Sequence, residues 1–275
     1  MVVLLLFLSI LPVFLLARYI YNNDFEKEPT PLLVGLFLMG IGSVIVTYFL
    51  SSFLEDTISF FAPQNQIYLN VLELIPYVYI GVALIEEFAK WIFVYLYAYH
   101  HYEFNHAYDA IVYCVFVSMG FACIENLLYV FNYGSMQTAL VRAITAVPGH
   151  ACFGILMGFY FGMAKTADKH QNKTISHKNK VKSLLLPVLA HGTYDYLIFG
   201  SVHVSFFTIL FIAFIVFLFS QTADKVKQLA KIHFDIRESI PSISNQYSYQ
   251  YCPMCGEKVV DHFCIKCGFE HTTIK

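Results

Sequence analysis

The sequence contains few charged residues and no excess of one sign. Only 13% of its 275 residues are Asp, Glu, Lys or Arg, against roughly 25% in average soluble domains. The formal net charge is -2, so the chain has no broad positive field to attract nucleic acid. Hydrophobic residues make up 58% of the chain. This composition excludes an ordinary soluble domain and favours a protein embedded in the lipid bilayer.

No basic residue precedes the first apolar run, and Arg18 stands at its far end. This pattern is not typical of a cleaved signal peptide and favours a signal anchor with the N-terminus outside. A helix needs about 20 apolar residues to cross the bilayer core. Seven segments approach that length, and we expect an all-α, polytopic membrane protein with about seven transmembrane helices. They cover approximately residues 2–21, 32–53, 74–99, 107–131, 138–164, 183–200 and 203–220.

Lysines in one connecting segment predict the orientation. Residues 165–182 contain six lysines and a single acid, Asp168. The positive-inside rule places this segment in the cytoplasm. Following the chain from there puts the N-terminus and residues 55–70 outside, and the C-terminus in the cytoplasm. We therefore predict a multi-pass protein of the cell membrane.

Ionisable and amide side chains occur inside four of these hydrophobic segments. A charge near the bilayer centre costs at least about 2.5–3.5 kcal/mol. Counting from the segment ends places the four groups at similar depths. We therefore predict one shared polar cavity that performs chemistry or moves ions. The groups are Glu86, Glu87 and Lys90; Glu125 and Asn126; His150; and His191 with Asp195.

Helical spacing suggests how these side chains pair. Glu86 and Lys90 are four residues apart, as an ion pair on one helix face requires. His191 and Asp195 share that spacing, so the carboxylate can hold one ring nitrogen and leave the other for a metal, a water or a carboxylate. Either pair alone could serve packing only; together they exceed what packing needs. Arg142 is expected to extend to the outer membrane interface.

The neighbouring residues add further expectations. Glu87 points about 100° away from Glu86 and is free for another partner. Asn126 offers an amide donor for a carboxylate or a developing oxyanion. Pro148 and Gly149 precede His150, and Gly154 and Gly158 follow it. These small residues predict a kinked helix with a closely approaching neighbour.

Four strings in order resemble the motifs of the PrsW family of intramembrane proteases. They are E-E-x-x-K at 86–90, F-x-x-x-E-N at 121–126, H-x-x-x-G at 150–154 and H-x-x-x-D at 191–195. The resemblance covers about residues 75–200 and implies cleavage of a membrane-anchored protein, such as an anti-sigma factor, on its outer side. The related prenyl-protein (CAAX) endopeptidases carry a histidine where Glu125 stands, so their mechanism does not transfer directly.

Two mechanisms fit these residues, and neither uses an H-E-x-x-H helix, which the chain lacks. In the first, His150, His191 and a carboxylate bind a catalytic zinc ion while a second carboxylate acts as general base. In the second, a glutamate activates water without a metal and a histidine transfers the proton. We expect Glu86 or Glu87 to activate the water, with Lys90 keeping a carboxylate ionised. The surplus of donors favours the metal.

The C-terminus predicts a separate metal-binding module. We divide the chain into a transmembrane protease domain at 1–222, a flexible cytoplasmic linker at 223–250 and a zinc ribbon at 251–275. Two C-x-x-C-G strings supply a tetrathiolate set for structural zinc. With no open coordination position, the ribbon is expected to bind a cytoplasmic protein partner. Its ligands are Cys252, Cys255, Cys264 and Cys267.

Two other functions remain open at this point. Buried carboxylates and histidines also form the proton or cation sites of transporters and ion-coupled sensors. The sequence shows no obvious inverted repeat, which transporters commonly contain. A non-catalytic receptor that signals through the ribbon is a third reading. All three place the chain in the lipid bilayer, and only the protease requires a membrane-anchored protein substrate.

Overall fold

The computed structural model describes residues 2–24, 26–61, 69–133, 135–169 and 171–238. These residues form helices and short turns, with no strand among them. The third helix, α3, covers residues 74–98 and is built from four consecutive helical segments, Leu74–Pro76, Tyr77–Leu84, Ile85–Phe93 and Val94–Ala98. The other helices are α1 (Val2–Asn23), α2 (Thr30–Thr57), α4 (Asp109–Tyr133), α5 (Met136–Ile144), α6 (Ala146–Lys169), α7 (Lys173–Gly200) and α8 (Phe206–Glu238).

Five stretches in the described residues are long and apolar enough to cross a membrane, which confirms an integral membrane protein of helical class. They are Leu5–Asn23, Thr30–Thr57, Asp109–Asn132, Met136–Lys169 and Phe206–Leu229. The other two predicted segments, α3 and α7, are helical but carry the polar residues of the E-E-x-x-K and H-x-x-x-D strings. Length and composition alone therefore do not assign them to the membrane, and seven crossings stay a prediction.

Helix α3 changes its winding on both sides of the E-E-x-x-K string. Tyr77–Leu84 and Val94–Ala98 are π-helical, while Ile85–Phe93 between them is α-helical. π-helical turns are rare and are frequently found at functional sites. They rotate the α-helical segment relative to a continuous α-helix, so the spacing rule alone could not fix where each of its side chains points.

Helix α4 lies at the centre, in contact with α1, α2 and α6. At Gly154 a Cβ would come within 2.8 Å of Ser118 Oγ, and at Gly158 it would collide with the Ala110 carbonyl. These contacts confirm the predicted close neighbour of α6. The predicted kink is wrong, because the chain breaks at Thr145 and Pro148 lies in the first turn of α6, where a missing N–H removes no helical hydrogen bond.

Two predicted boundaries also change. The segment 138–164 is divided by that break into α5 and α6. The lysine-rich stretch 165–182 is mainly helical rather than a loop, because α6 runs to Lys169 and α7 begins at Lys173. The Asn172 side chain accepts a hydrogen bond from the Ile175 N–H at 3.1 Å and thereby caps α7. Hydropathy marks only the apolar part of a helix, so it misses these polar turns.

Following the chain from the lysine-rich segment 165–182 also puts residues 100–106 and the α1–α2 turn on the cytoplasmic side, and these connections lie together at one end of the bundle. His106 Nδ1 lies 3.3 Å from Glu26 Oε2, which joins residues 99–108 to the α1–α2 turn. The Tyr99 hydroxyl donates to Asp168 at 2.7 Å, which joins the same segment to the end of α6. Their shared location agrees with the order of membrane crossings predicted from the lysine-rich segment. Which end faces the cytoplasm stays a prediction.

The C-terminal predictions are only partly covered by the structure. Helix α8 continues to Glu238, so residues 223–238 of the predicted flexible linker are helical. The rest of the linker and the predicted zinc ribbon, with its four cysteines, lie outside the described residues. The domain boundaries and the ribbon therefore stay predictions.

Candidate active site

A buried ion pair on α3 forms the base of the site. Glu87 and Lys90 are both fully buried, and Lys90 Nζ donates to Glu87 Oε1 at 2.7 Å. Glu86 Oε2 lies farther from the same nitrogen, at 3.7 Å. The expected pairing is thus altered: Lys90 binds the glutamate three residues before it more tightly than the one four residues before it. Both spacings place side chains on neighbouring parts of a helix surface.

His191 on α7 lies between three carboxylates. Its Nδ1–H donates to Glu87 Oε1 at 2.9 Å. Its Nε2 faces Asp195 Oδ2 at 3.4 Å and Glu86 Oε2 at 3.9 Å. Asp195 thus faces one ring nitrogen, as the spacing predicted, and the carboxylate on the other nitrogen is Glu87, which makes the shorter contact. In the neutral ring, a hydrogen bond from Nδ1–H leaves the lone pair on Nε2.

His150 on α6 connects this group to α4. Lys90 Nζ donates to His150 Nδ1 at 3.2 Å, so the opposite nitrogen carries the proton and donates to Glu125 Oε2 at 2.7 Å. A continuous series of polar contacts thus runs from Glu125 through His150, Lys90 and Glu87 to His191. The structure brings together the polar groups predicted on four separate segments.

Arg142 also belongs to the site, and its predicted position at the membrane interface is wrong. Its Nη2 lies 3.0 Å from Glu125 Oε2, and its Nε donates to Asn126 Oδ1 at 2.7 Å. Its guanidinium covers the Tyr129 ring at 3.8 Å. The short helix α5 brings it there, because the break at Thr145 folds α5 back against α4. The sequence offered one signal for this position, a single arginine within an apolar segment.

Asn126 connects three helices next to the site. It is almost completely buried, and its Nδ2 donates to the Ser9 carbonyl at 3.2 Å while its Oδ1 accepts from Arg142. These contacts use the amide to join α1, α4 and α5. The expected donor for an oxyanion is therefore already bound to the backbone of α1, a partner that hydropathy could not reveal.

A cavity of about 580 Å³ opens beside these residues. Glu87, Lys90 and Asn126 are not among its lining residues. Glu86 Oε2 and Asp195 Oδ2 are buried and accept no hydrogen bond. Both side chains line the cavity, and no hydrogen bond holds these oxygens in place. Its lining includes the polar residues Glu86, Glu125, Arg142, His150, His191 and Asp195, together with Tyr77, Ser135, Gln137, Thr138 and Phe199.

The donors suit a metal ion in type. Two ligands of a tetrahedral zinc ion, each at about 2.0–2.1 Å, lie about 3.4 Å apart, which matches the 3.4 Å between His191 Nε2 and Asp195 Oδ2. The Glu87 carboxylate accepts the hydrogen bond of His191 Nδ1–H, and a carboxylate in this position commonly orients a metal-binding histidine. Three potential ligand atoms that all lie within 4.8 Å of one another are found in the described residues at Asp24, Glu28 and Asp109, and not around His191 and Asp195. A third ligand to His191 and Asp195 would therefore have to move closer.

Comparison with known proteins agrees with the four motifs. A model of the PrsW family intramembrane metalloprotease matches residues 28–220, more than half of the chain. The chain belongs to the PrsW family. Protease PrsW of Geobacillus kaustophilus is 37% identical over 184 residues, 67% of this chain and 74% of that protein. Protease PrsW of Oceanobacillus iheyensis is 36% identical over 211 residues, covering 76% of this chain and 88% of that protein.

Protease PrsW of Bacillus subtilis extends the similarity to 80% of this chain and 94% of that protein, at 30% identity over 227 residues. No solved structure matches the chain. Membership of the PrsW family confirms the resemblance and identifies an intramembrane protease. The roles of the individual residues, and the metal, remain to be assigned.

Proposed function

We propose that this PrsW protein is an endopeptidase that cleaves a membrane-anchored protein by means of a water molecule activated by Glu86. One observation carries the assignment to Glu86 over Glu87. Glu86 lines the cavity with a buried oxygen that accepts no hydrogen bond, whereas Glu87 is bound to Lys90 and His191. A general base must reach the water from which it takes a proton.

The proposed reaction follows from these positions. Glu86 accepts a proton from a water in the cavity as the water oxygen attacks the scissile carbonyl carbon. The negative charge that develops on the carbonyl oxygen is stabilised by the Arg142 guanidinium, which lines the same cavity. Glu86 then passes its proton to the leaving nitrogen as the C–N bond breaks. Glu87 and Lys90 hold His191 in place and do not meet the substrate.

We propose that a zinc ion is held by His191 and Asp195. His150, the other histidine expected to bind it, becomes a ligand only if Glu125 releases its Nε2. When bound, the ion would polarise the scissile carbonyl and make its water easier to deprotonate. This proposal is supported by the family's description as metalloproteases and by the position of His191 Nε2, which faces an Asp195 oxygen that accepts no hydrogen bond.

The metal assignment predicts a difference in zinc content. Purified full-length His191→Ala protein should contain one zinc ion fewer per chain than wild type, because the site loses its central ligand. Metal analysis by mass spectrometry measures this, and zinc in the C-terminal ribbon contributes equally to both proteins. His203→Ala, in an exposed turn, is the matched control and should keep the wild-type content. Equal zinc in all three proteins would leave the metal-free glutamate mechanism.

The membrane arrangement is proposed on the same basis. Helices α3 and α7 complete seven crossings, since their polar residues face one another and the cavity rather than lipid. The N-terminus lies outside, and the cavity opens toward the outer face, where Ser135 and Phe199 lie. The substrate is then a single-span protein or an outer juxtamembrane segment, of the anti-sigma-factor type that the resemblance implies. The C-terminal ribbon holds structural zinc in the cytoplasm and binds a protein partner there.

Cleavage in cells tests the proposed function. We expect new N-termini of membrane proteins near the outer ends of their spans in cells that produce wild type, and none in cells that produce Asp195→Asn protein. Mass spectrometry of labelled N-termini measures the difference, with both proteins adjusted to equal amounts in the membrane. The same set of N-termini in both would contradict the proposal and favour ion transport by the buried carboxylates.

A further inference from the structure

Three buried carboxylates gather at the end of the bundle where the α1–α2 turn meets the start of α4. Asp24 follows α1, Glu28 precedes α2 and Asp109 is the first residue of α4. One oxygen from each lies within 4.8 Å of the other two. Their exposed fractions are 4%, 5% and 0%. We call this group the acidic triad.

Contacts from outside the acidic triad fix two of its side chains. Asp109 Oδ2 accepts the backbone N–H groups of Asn105 at 3.1 Å and of His106 at 2.7 Å. The Tyr113 hydroxyl donates to Glu28 Oε2 at 2.6 Å. Neither carboxylate is therefore free to turn toward solvent.

One oxygen in the acidic triad lacks what a buried acceptor requires. Asp109 Oδ1 is buried and accepts no hydrogen bond, although the other oxygen of the same carboxylate accepts two. An acceptor without a partner in a dry site loses its hydration without compensation. A bound cation would supply the partner that this oxygen of a completely buried residue lacks.

The charge of the acidic triad agrees with this. Among the described residues, neither Glu28 nor Asp109 forms an ion pair with Lys, Arg or His. Burial, together with the negative charges of Asp24, Glu103 and Glu26, raises the pKa of Glu28 to about 7, and the Tyr113 hydrogen bond opposes this rise. Anions crowded in this way are stabilised by a cation.

We propose that the acidic triad binds a hard divalent cation, Ca²⁺ or Mg²⁺. Carboxylate oxygens are the ligands these ions prefer, and two oxygens on opposite sides of Ca²⁺, each at about 2.4 Å, lie about 4.8 Å apart. The cation joins the α1–α2 turn to the first residue of α4, the helix that carries Glu125. The proposal does not depend on the proposed function, because the triad contains none of the cavity residues.

Terbium luminescence tests the proposal on the full-length protein. Tb³⁺ takes the same oxygen ligands, and Tyr113, in contact with Glu28, can sensitise its emission. After treatment with a chelator, we expect saturable Tb³⁺ emission that Ca²⁺ or Mg²⁺ reduces by displacement. Either ion should also raise the melting temperature of the wild-type protein. The affinity for Tb³⁺ should fall at least about tenfold in Glu28→Gln and Asp109→Asn, as even outer-shell losses weaken metal binding by that much.

The matched control is Glu26→Gln, which changes an exposed carboxylate beside the acidic triad and should keep the wild-type affinity. Both test variants retain an oxygen acceptor for Tyr113 or the backbone N–H groups, so each should elute as wild type in size-exclusion chromatography. Absence of saturable emission in wild type would overturn the proposal in favour of bound protons. Equal affinity in Glu28→Gln and Glu26→Gln would also overturn it, since Tb³⁺ would then occupy another site.

Discussion

Glu86→Gln should lower the rate of substrate cleavage by about 10²–10⁴-fold, the usual contribution of a general base. The amide has nearly the shape of the carboxylate but cannot accept the proton of the attacking water. Because Glu86 lines the cavity and accepts no hydrogen bond, its replacement should leave the fold and the melting temperature unchanged. Cleavage of a substrate found in cells, reconstituted with the purified protein, measures the rate.

Glu73→Gln is the matched control for this substitution. Glu73 is an exposed glutamate just before α3, and its side chain accepts a hydrogen bond from the nearby backbone N–H of Asn70 at 3.0 Å. Its variant should cleave at the wild-type rate. A Glu86→Gln enzyme within threefold of wild type would remove Glu86 from the chemistry and return the role of base to Glu87.

Lys90→Met should destabilise the protein by about 3–5 kcal/mol, the range observed when one partner of a buried ion pair is removed. Lys90 and Glu87 are both fully buried, and the ammonium also donates to His150 and lies 4.1 Å from the centre of the Phe121 ring. Methionine fills the space but leaves Glu87 without its cation. Unfolding in mixed micelles measures the free energy, and cleavage should be lost with it.

A double variant separates charge from packing. Lys90→Met/Glu87→Gln removes both charges, and its amide oxygen can still accept the His191 Nδ1–H. We expect most of the lost stability to return, because replacing both partners of a buried pair is often nearly neutral. Cleavage should stay low, since a neutral amide no longer orients His191 as a carboxylate does. A double variant as unstable as Lys90→Met would show that the lysine acts through packing.

Composition and the pattern of apolar segments were sufficient to predict the class of protein and the order of its main helices. A chain with so few charges must bury most of its backbone in helices when it lies in lipid, because only intrahelical hydrogen bonds satisfy the backbone there. The same rule makes a carboxylate in an apolar segment costly, so Glu86, Glu125 and Asp195 could be identified as site candidates. Glycine at 154 and 158 correctly indicated close helix packing.

Pairing within the site could not be predicted in the same way. Helical spacing predicted Glu86 beside Lys90 and Asp195 beside His191, and both pairs are present, at 3.7 Å and 3.4 Å. It did not predict that Glu87 binds both Lys90 and His191 more closely. The π-helical turns around residues 85–93 rotate the motif, and α7 approaches from a direction that only packing determines. Arg142 was misplaced for a related reason: hydropathy averages over the break at Thr145, and a single predicted helix carries its arginine away from the site.

The sequence by itself determined an all-helical membrane protein with ionisable groups at similar depth, because hydration costs act on each residue separately. Tertiary structure decided which of these groups touch, which carboxylate oxygens remain open to the cavity, and that Arg142 joins them. It also brought Asp24 and Glu28 of the α1–α2 turn together with Asp109 at the start of α4. Such contacts depend on the rotation and approach of whole helices, which close packing sets and local spacing does not contain.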